Sequence, residues 1–144
     1  MTAPADRPRR ILAVDYGAAR TGLAATDWTG TICVPLPRID ARDDATVVRA
    51  IAALVRERET QAVVLGMPLL VDGQVGERAN RTAAFQAVLA AAIAPVPVFT
   101  VDESHSTDEA HELLKQGGMK AARRRELADS VAALVILERF RGRR

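Results

Sequence analysis

Apolar residues occur as short unbroken runs in some stretches of the chain and at helical spacing in others. Ile11-Leu12-Ala13-Val14 is unbroken, entered from Arg10 and closed by Asp15 and then Tyr16-Gly17. A run of that length stopped by glycine predicts a strand buried on both faces. Arg20 to Asp27 predicts a second strand, Asp27-Trp28-Thr29-Gly30 a turn, and Thr31 to Pro37 a third strand. Pro35 and Pro37 put the third strand at a sheet edge or at its own end, because proline cannot donate to a ladder. Connections this short predict an antiparallel meander.

Helical spacing begins at Asp43. Val47, Val48, Ile51, Leu54 and Val55 line one face of a helix running to Glu59, with Arg49, Arg56, Glu57 and Arg58 between them. Gln61 to Gly66 predicts another buried strand, closed by Gly66-Met67-Pro68, and Val71-Asp72-Gly73 a turn. Glu77 to Ile93 is alanine-rich and predicts a helix stopped before Pro95 and Pro97. Val96 to Val101 predicts a strand running into Asp102-Glu103. Ser106 and Glu109 have capping-box spacing for a helix ending at Gly117-Gly118. Arg123 to Arg141, free of glycine and proline, predicts the last helix. The order β-β-β-α-β-α-β-α-α predicts an α/β fold around one mixed five-stranded sheet flanked by helices. Residues 1–9 are expected to be a flexible leader and 10–144 a single domain, in keeping with 144 residues in all.

Composition narrows the function. The chain is 49% hydrophobic, enough for a core, yet has no apolar run of about 18 residues that could span a membrane. The polar start followed by a short run ending at Asp15 does not resemble a signal-peptide core. One cysteine, Cys33, excludes an internal disulfide, and with His105 and His111 it is too few for a Cys/His zinc cage. A reduced, cytoplasmic protein is expected. Aromatic content of 3% argues against a binder built mainly on base stacking. Charge is uneven. Residues 115–144 hold nine basic and three acidic residues, net +6, so the rest carries −4 of the total +2. A basic C-terminal face suggests a polyanionic partner, although a solvated arginine-rich helix end has the same composition.

Acids in three separate places are the candidate chemistry. Asp15 ends the first strand, Asp102 and Glu103 end the last, and Asp129 precedes Ala132, Ala133 and Ile136 on the final helix. Carboxylates converging from separate elements commonly meet at a hard divalent cation such as Mg²⁺ or Mn²⁺. Side chains alternate along a strand, so only one of Asp102 and Glu103 can reach Asp15; the longer Glu103 is the favoured one. Gly17 allows close backbone approach to a phosphate and Arg20 can grip its oxygen, but a plain hairpin would need a glycine too. No Walker or dinucleotide fingerprint is present. Gly66-Met67-Pro68-Leu69 and Asp72-Gly73 could line a cleft at the carboxyl end of their strand, or be turn chemistry alone. His105 beside the acid pair could move a proton or merely flank a helix cap, and nothing in the sequence places a base for Ser104, Ser106 or Thr107.

Five motifs in register resemble the YqgF/RuvX family: Asp15-Tyr16-Gly17 with Arg20 and Gly22; Gly66-Met67-Pro68-Leu69 with Asp72-Gly73; Asp102-Glu103 with Ser106-Thr107; Gln116-Gly117-Gly118; and Asp129-Ser130 with Ala132-Ala133 and Ile136-Leu137. The resemblance extends from about Ile11 to Phe140. It implies an RNase H-like fold and a nuclease that processes the 5′ end of pre-16S rRNA, in a family also regarded as Holliday junction resolvases. It maps catalytic acids onto Asp15, Asp102-Glu103 and Asp129. Where the family usually has arginine after the acid pair, this chain has Ser104.

The resulting expectation is a metal-dependent phosphodiesterase acting on structured nucleic acid. Asp15, Glu103 and Asp129 would hold Mg²⁺ or Mn²⁺, with Asp102 in support. Gly17, Arg20, Ser106, Thr107, Arg123, Arg124 and Arg125 would contact substrate, and the C-terminal arginines the phosphate backbone. Partners would be precursor rRNA or branched DNA rather than membrane, with the protein a monomer or weak homodimer. Two other readings fit the same residues: a nucleotide-binding module, because Asp15-Tyr16-Gly17 also looks like the phosphate loop of actin-like ATPases and sugar kinases, and a non-catalytic rRNA-binding factor.

Overall fold

The structure, a computed structural model, describes residues 8–68, 76–103 and 121–142, with the side chains of 121–129 left out. Five strands form one sheet: β1 (Ile11–Asp15), β2 (Arg20–Thr26), β3 (Cys33–Asp40), β4 (Ala62–Met67) and β5 (Val98–Asp102). Three helices are described: α1 (Asp44–Glu57), α2 (Glu77–Ile93) and α3 (Ala121–Arg141). The predicted helix after Ser106 lies outside the described residues.

The sheet order is β3-β2-β1-β4-β5. β1, β2 and β3 form the expected antiparallel meander, and β4 and β5 add in parallel on the other side of β1. β1 and β4 are therefore central, which is why both are unbroken apolar runs buried at nearly every position. β3 is an edge strand that carries Pro35 and Pro37 and continues past them to Asp40, longer than the run ending at Pro37 suggests.

Each sheet face has its own cover. Leu12, Val14, Val63 and Leu65 pack with Val47, Ile51 and Val55 of α1 and Phe85, Leu89 and Ile93 of α2. Ile11, Ala13, Ala24 and Val64 pack with Ala133, Ile136 and Leu137 of α3. The small residues in the second group let α3 lie close to the sheet. Helix α1 is started by Asp43, whose carboxylate accepts from the Thr46 N–H at 3.0 Å and its hydroxyl at 2.6 Å. Arg9, the last residue of the expected leader, is tied to the fold, its N–H donating to Gln61 Oε1 at 2.8 Å.

Candidate active site

Asp15 belongs, by alternation from Ile11 and Ala13, to the α3 side of β1. Val101 packs in the same cluster, so Glu103, two residues on, returns to that side, while Asp102 points the other way and is exposed. Glu103 and Asp15 are both 7% exposed. Their carboxyl groups lie within hydrogen-bonding reach of each other. Two strand ends separated by β4 thus deliver two buried acids to one point.

Gly66 makes this meeting possible. It lies on β4 between the two acid-bearing strands, and a Cβ there would stand 2.5 Å from Glu103 Oε1, 2.5 Å from Ile136 Cδ1 and 3.0 Å from Glu103 Cβ. The glycine of the Gly66-Met67-Pro68 motif therefore makes room for the Glu103 side chain across the sheet.

Arg78, in the first turn of α2, closes the pair from solvent. Its guanidinium is 3.0 Å from Glu103 Oε2 and 3.9 Å from Asp15 Oδ1, with the arginine side chain 60% exposed. Burial nonetheless wins over these contacts. It raises the Glu103 carboxyl above its usual range, against the opposing pull of Arg78 and of the hydrogen bond with Asp15; the charge of Asp102 adds to the rise and that of Arg139 opposes it. An exposed guanidinium is screened by water, so it offsets the cost of burial only in part. Sequence reasoning missed Arg78. One signal was there: a cation in the first turn of a helix opposes the helix dipole, where acids are preferred, so it calls for a local anion.

The other expected site residues fall as follows. Asp129 lies within α3, one turn ahead of Ala133, with its side chain outside the described residues. The same holds for Arg123, Arg124 and Arg125. Ser104, His105, Ser106 and Thr107 lie outside the described residues altogether. Gly17 is explained locally: a Cβ there would collide with the Arg20 carbonyl, so the β1–β2 turn requires glycine whatever its role toward phosphate. Arg20 is exposed at the head of β2, in register with Asp40, and β1 and β4 stand between its strand and that of Asp102. Of the C-terminal arginines, Arg139 donates to the Asp102 carbonyl at 2.9 Å, while Arg141 donates to Cys33 Sγ at 2.6 Å and to the Gly30 carbonyl at 2.8 Å. These two are structural ties between α3 and the sheet ends.

Tyr16 supports the turn from behind. Its ring stacks on Phe85 with centroids 4.2 Å apart, and its hydroxyl donates to Asp44 Oδ1 at 2.6 Å. Burial, helped by the Asp44 carboxylate, pushes the phenol up to about 12, so it stays a neutral donor. The Asp-Tyr-Gly motif thus divides its work: the acid faces α3, the tyrosine anchors to α1 and α2, and the glycine makes the turn.

As to a metal, no group of three or more candidate ligands is assembled among the described residues. The two acids that do meet fit a hard cation: both are buried, their donor atoms are oxygens, and the arginine that bridges them, Arg78, is itself largely exposed.

Comparison with known proteins places the chain in a family and its fold in a class. The family model RuvX, described as Holliday junction resolvase, matches residues 9–141. A Streptomyces avermitilis protein named "Putative pre-16S rRNA nuclease" is 39% identical over 132 residues, covering 92% of this chain and 85% of its own. A Streptomyces coelicolor protein of the same name is 39% identical over 138 residues, covering 93% and 83%. Among solved structures, T. thermophilus RuvC in complex with Holliday junction substrate superposes with a TM-score of 0.58 at 16% identity, over 93% of this chain and 94% of that one. The fold is therefore the RNase H-like fold, as the five motifs imply.

Proposed function

The chain belongs to the RuvX family, and from that premise we propose that it is a divalent-metal-dependent nuclease whose substrate is the 5′ end of pre-16S rRNA. The observation that carries the reading is the buried Asp15–Glu103 pair, brought together across Gly66 and faced by Arg78. Stable folding alone gives no reason to bury two acids side by side, since desolvation opposes it.

Asp15 and Glu103 would hold Mg²⁺ or Mn²⁺, with Asp129 as the third carboxylate. When bound, such an ion supplies Lewis-acid stabilisation of the charge that develops on phosphoryl oxygens. The protein's own residues supply the rest. The sheet ends fix the two acids, the α3 layer keeps bulk water off their inner side, and Arg78 at the mouth presents a guanidinium fork suited to a phosphate oxygen. Hydrolysis adds water across one P–O bond and leaves no group on the protein. Asp102, turned away from the pair, holds position through its carbonyl on Arg139. Arg20, Ser106, Thr107 and Arg123 to Arg125 would contact the strand, acting on charge and shape rather than base identity. The work would take place in the cytoplasm; among the described residues, no helix is long and apolar enough to cross a membrane.

The family description favours a second reading, resolution of four-way DNA junctions; symmetric cutting would call for a two-fold dimer. One panel tests both: precursor rRNA, four-way junction, duplex and single-stranded DNA, with Mg²⁺, Mn²⁺ or chelator, for the wild type and Asp15→Asn. Cleavage of precursor rRNA that needs both metal and Asp15 is the expected result. Paired, symmetric cuts in the junction alone would install the second reading, and cleavage by Asp15→Asn at the wild-type rate would reject both.

A further inference from the structure

The end of the sheet away from the acids presents a different surface. Trp28, the only tryptophan in the chain, sits on the β2–β3 turn 59% exposed, and Ile32 beside it is 58% exposed. Single exposed apolar side chains are ordinary on protein surfaces; what sets this pair apart is the turn that carries it and the charges around it. This turn is rigid. Asp27 Oδ1 accepts from the Thr29 hydroxyl at 2.8 Å, the Thr31 N–H at 3.0 Å and the Ile32 N–H at 3.2 Å. Asp27 also donates its N–H to the Ile32 carbonyl at 2.8 Å. Gly30 adopts φ +77°, and a Cβ there would come within 2.8 Å of Arg9 Cβ, so the turn lies pressed against the start of β1.

The surroundings are cationic. The Arg10 guanidinium carbon stands 5.7 Å from the centroid of the Trp28 ring, a cation–π placement. Arg10 is itself pinned by a hydrogen bond to the Glu59 carbonyl at 2.8 Å. Arg58 lines the same recess as Arg10 and Trp28 and donates to the Thr26 carbonyl at 3.2 Å. Arg141 donates to the Gly30 carbonyl of the same turn. The acid within the turn, Asp27, has its carboxylate turned inward onto these donors, and Glu59 lies near Arg10. An exposed aromatic ring on a hydrogen-bonded turn, with arginines held beside it, matches an unpaired nucleotide, its base stacked on the ring and its phosphate near the guanidinium groups.

We propose that Trp28, with Arg10 and Arg58, forms a second nucleic-acid contact that stacks an unpaired base of the substrate at the opposite end of β1 from Asp15. The proposal rests on the nuclease reading and adds to it that the substrate has a single-stranded segment reaching past the acid pair. Ile11 and Asp15 are separated by about 13 Å of extended strand, a span that a short unpaired segment covers. A stacking surface of one residue is consistent with a chain so poor in aromatics.

Trp28 reports on itself, because no other tryptophan contributes emission. The experiment titrates the full chain, in chelator so that nothing is cut, with a labelled single-stranded RNA of about 12 nucleotides and with a blunt duplex of the same sequence. Label anisotropy reads binding, and tryptophan emission reads stacking. Binding of the single strand should quench Trp28, and Trp28→Ala should weaken that binding about tenfold while Trp28→Phe retains most of it. The blunt duplex should bind without strong quenching and be insensitive to Trp28→Ala. With metal restored, Trp28→Ala should raise KM and leave kcat unchanged. Binding with unchanged emission and an unaltered Trp28→Ala affinity overturns this proposal and leaves the nuclease reading standing. Absence of binding to every strand overturns both. An emission shift that follows protein concentration without oligonucleotide would assign the face to a second copy of the chain and overturn the proposal in that direction.

Discussion

Adding one methyl group at Gly66 tests the central geometric claim, that this glycine exists to seat Glu103. In Gly66→Ala the new Cβ would lie 2.5 Å from both Glu103 Oε1 and Ile136 Cδ1, well inside contact distance, and 3.0 Å from Glu103 Cβ. The first two atoms are ends of side chains and could swing away in a loose setting. Here Ile136 is fully buried and Glu103 is 7% exposed, so neither has free space to enter. Overpacking of this kind costs about 1–3 kcal/mol. For a chain of this size that is a fall in Tm of roughly 3–10 °C. Activity should fall much further than stability, because relief requires moving the Glu103 carboxylate off Asp15. The double variant Gly66→Ala/Ile136→Val removes Cδ1 and hence one of the two closest contacts. It should recover part of the lost Tm and almost none of the cleavage, a separation that a thermodynamic cycle measures directly. Thermal unfolding followed by circular dichroism, alongside rates on the best substrate of the panel, reads both. If Gly66→Ala keeps the wild-type Tm and cuts within about twofold of the wild-type rate, Glu103 does not occupy the position that defines the site.

Glu103→Gln should abolish metal-dependent cleavage while Asp102→Asn lowers it only partly, since the two side chains leave β5 on opposite faces; the reverse pattern in the same rate assay would move the ligand to Asp102. Burial raises the Glu103 carboxyl, so the folded state holds its proton to higher pH than the unfolded chain does. In chelator the stability linked to that proton is full at low pH and is lost as pH climbs above the ordinary glutamate range, so the wild-type Tm should drop relative to Glu103→Gln across that window, a difference that saturating Mg²⁺ should narrow. Arg78→Ala should change stability little, by under about 1 kcal/mol after allowance for its solvent exposure, yet weaken substrate binding in an anisotropy assay; full affinity would remove Arg78 from the mouth of the site. Tyr16→Phe deletes the hydrogen bond to Asp44 and should cost about 1 kcal/mol, some 3–4 °C in Tm, with the stack on Phe85 intact; an unchanged Tm would mean that the bond is not formed in solution.

Local pattern by itself determined the described elements and their order. Ile11 to Val14 and Ala62 to Leu65 are uninterrupted apolar runs because both strands are sandwiched between helical layers, and that double burial is written directly into composition. The ends of α2 at Glu77 and Ile93 agree with the sequence reading because proline and glycine act over one or two residues. The identity of Asp15 and of the Asp102-Glu103 pair as candidate acids was legible for a similar reason: a carboxylate closing a buried strand is anomalous within a few residues of sequence. What tertiary structure decided is everything that depends on elements far apart in the chain. Strand alternation says that only one of Asp102 and Glu103 can face Asp15, but which one depends on how β5 registers against β4 and on where α3 lies, neither of which is a local property. Gly66 reads as turn chemistry until β5 and α3 bring Glu103 and Ile136 over it. Arg78 is an ordinary helix arginine until β1 and β5 carry their acids to the start of α2. Arg139 and Arg141 read as a basic tail until α3 brings them to the ends of β5 and β3, where each ties the helix to the sheet. Periodicity reports which side of an element is apolar; only packing selects the partner that the other side meets.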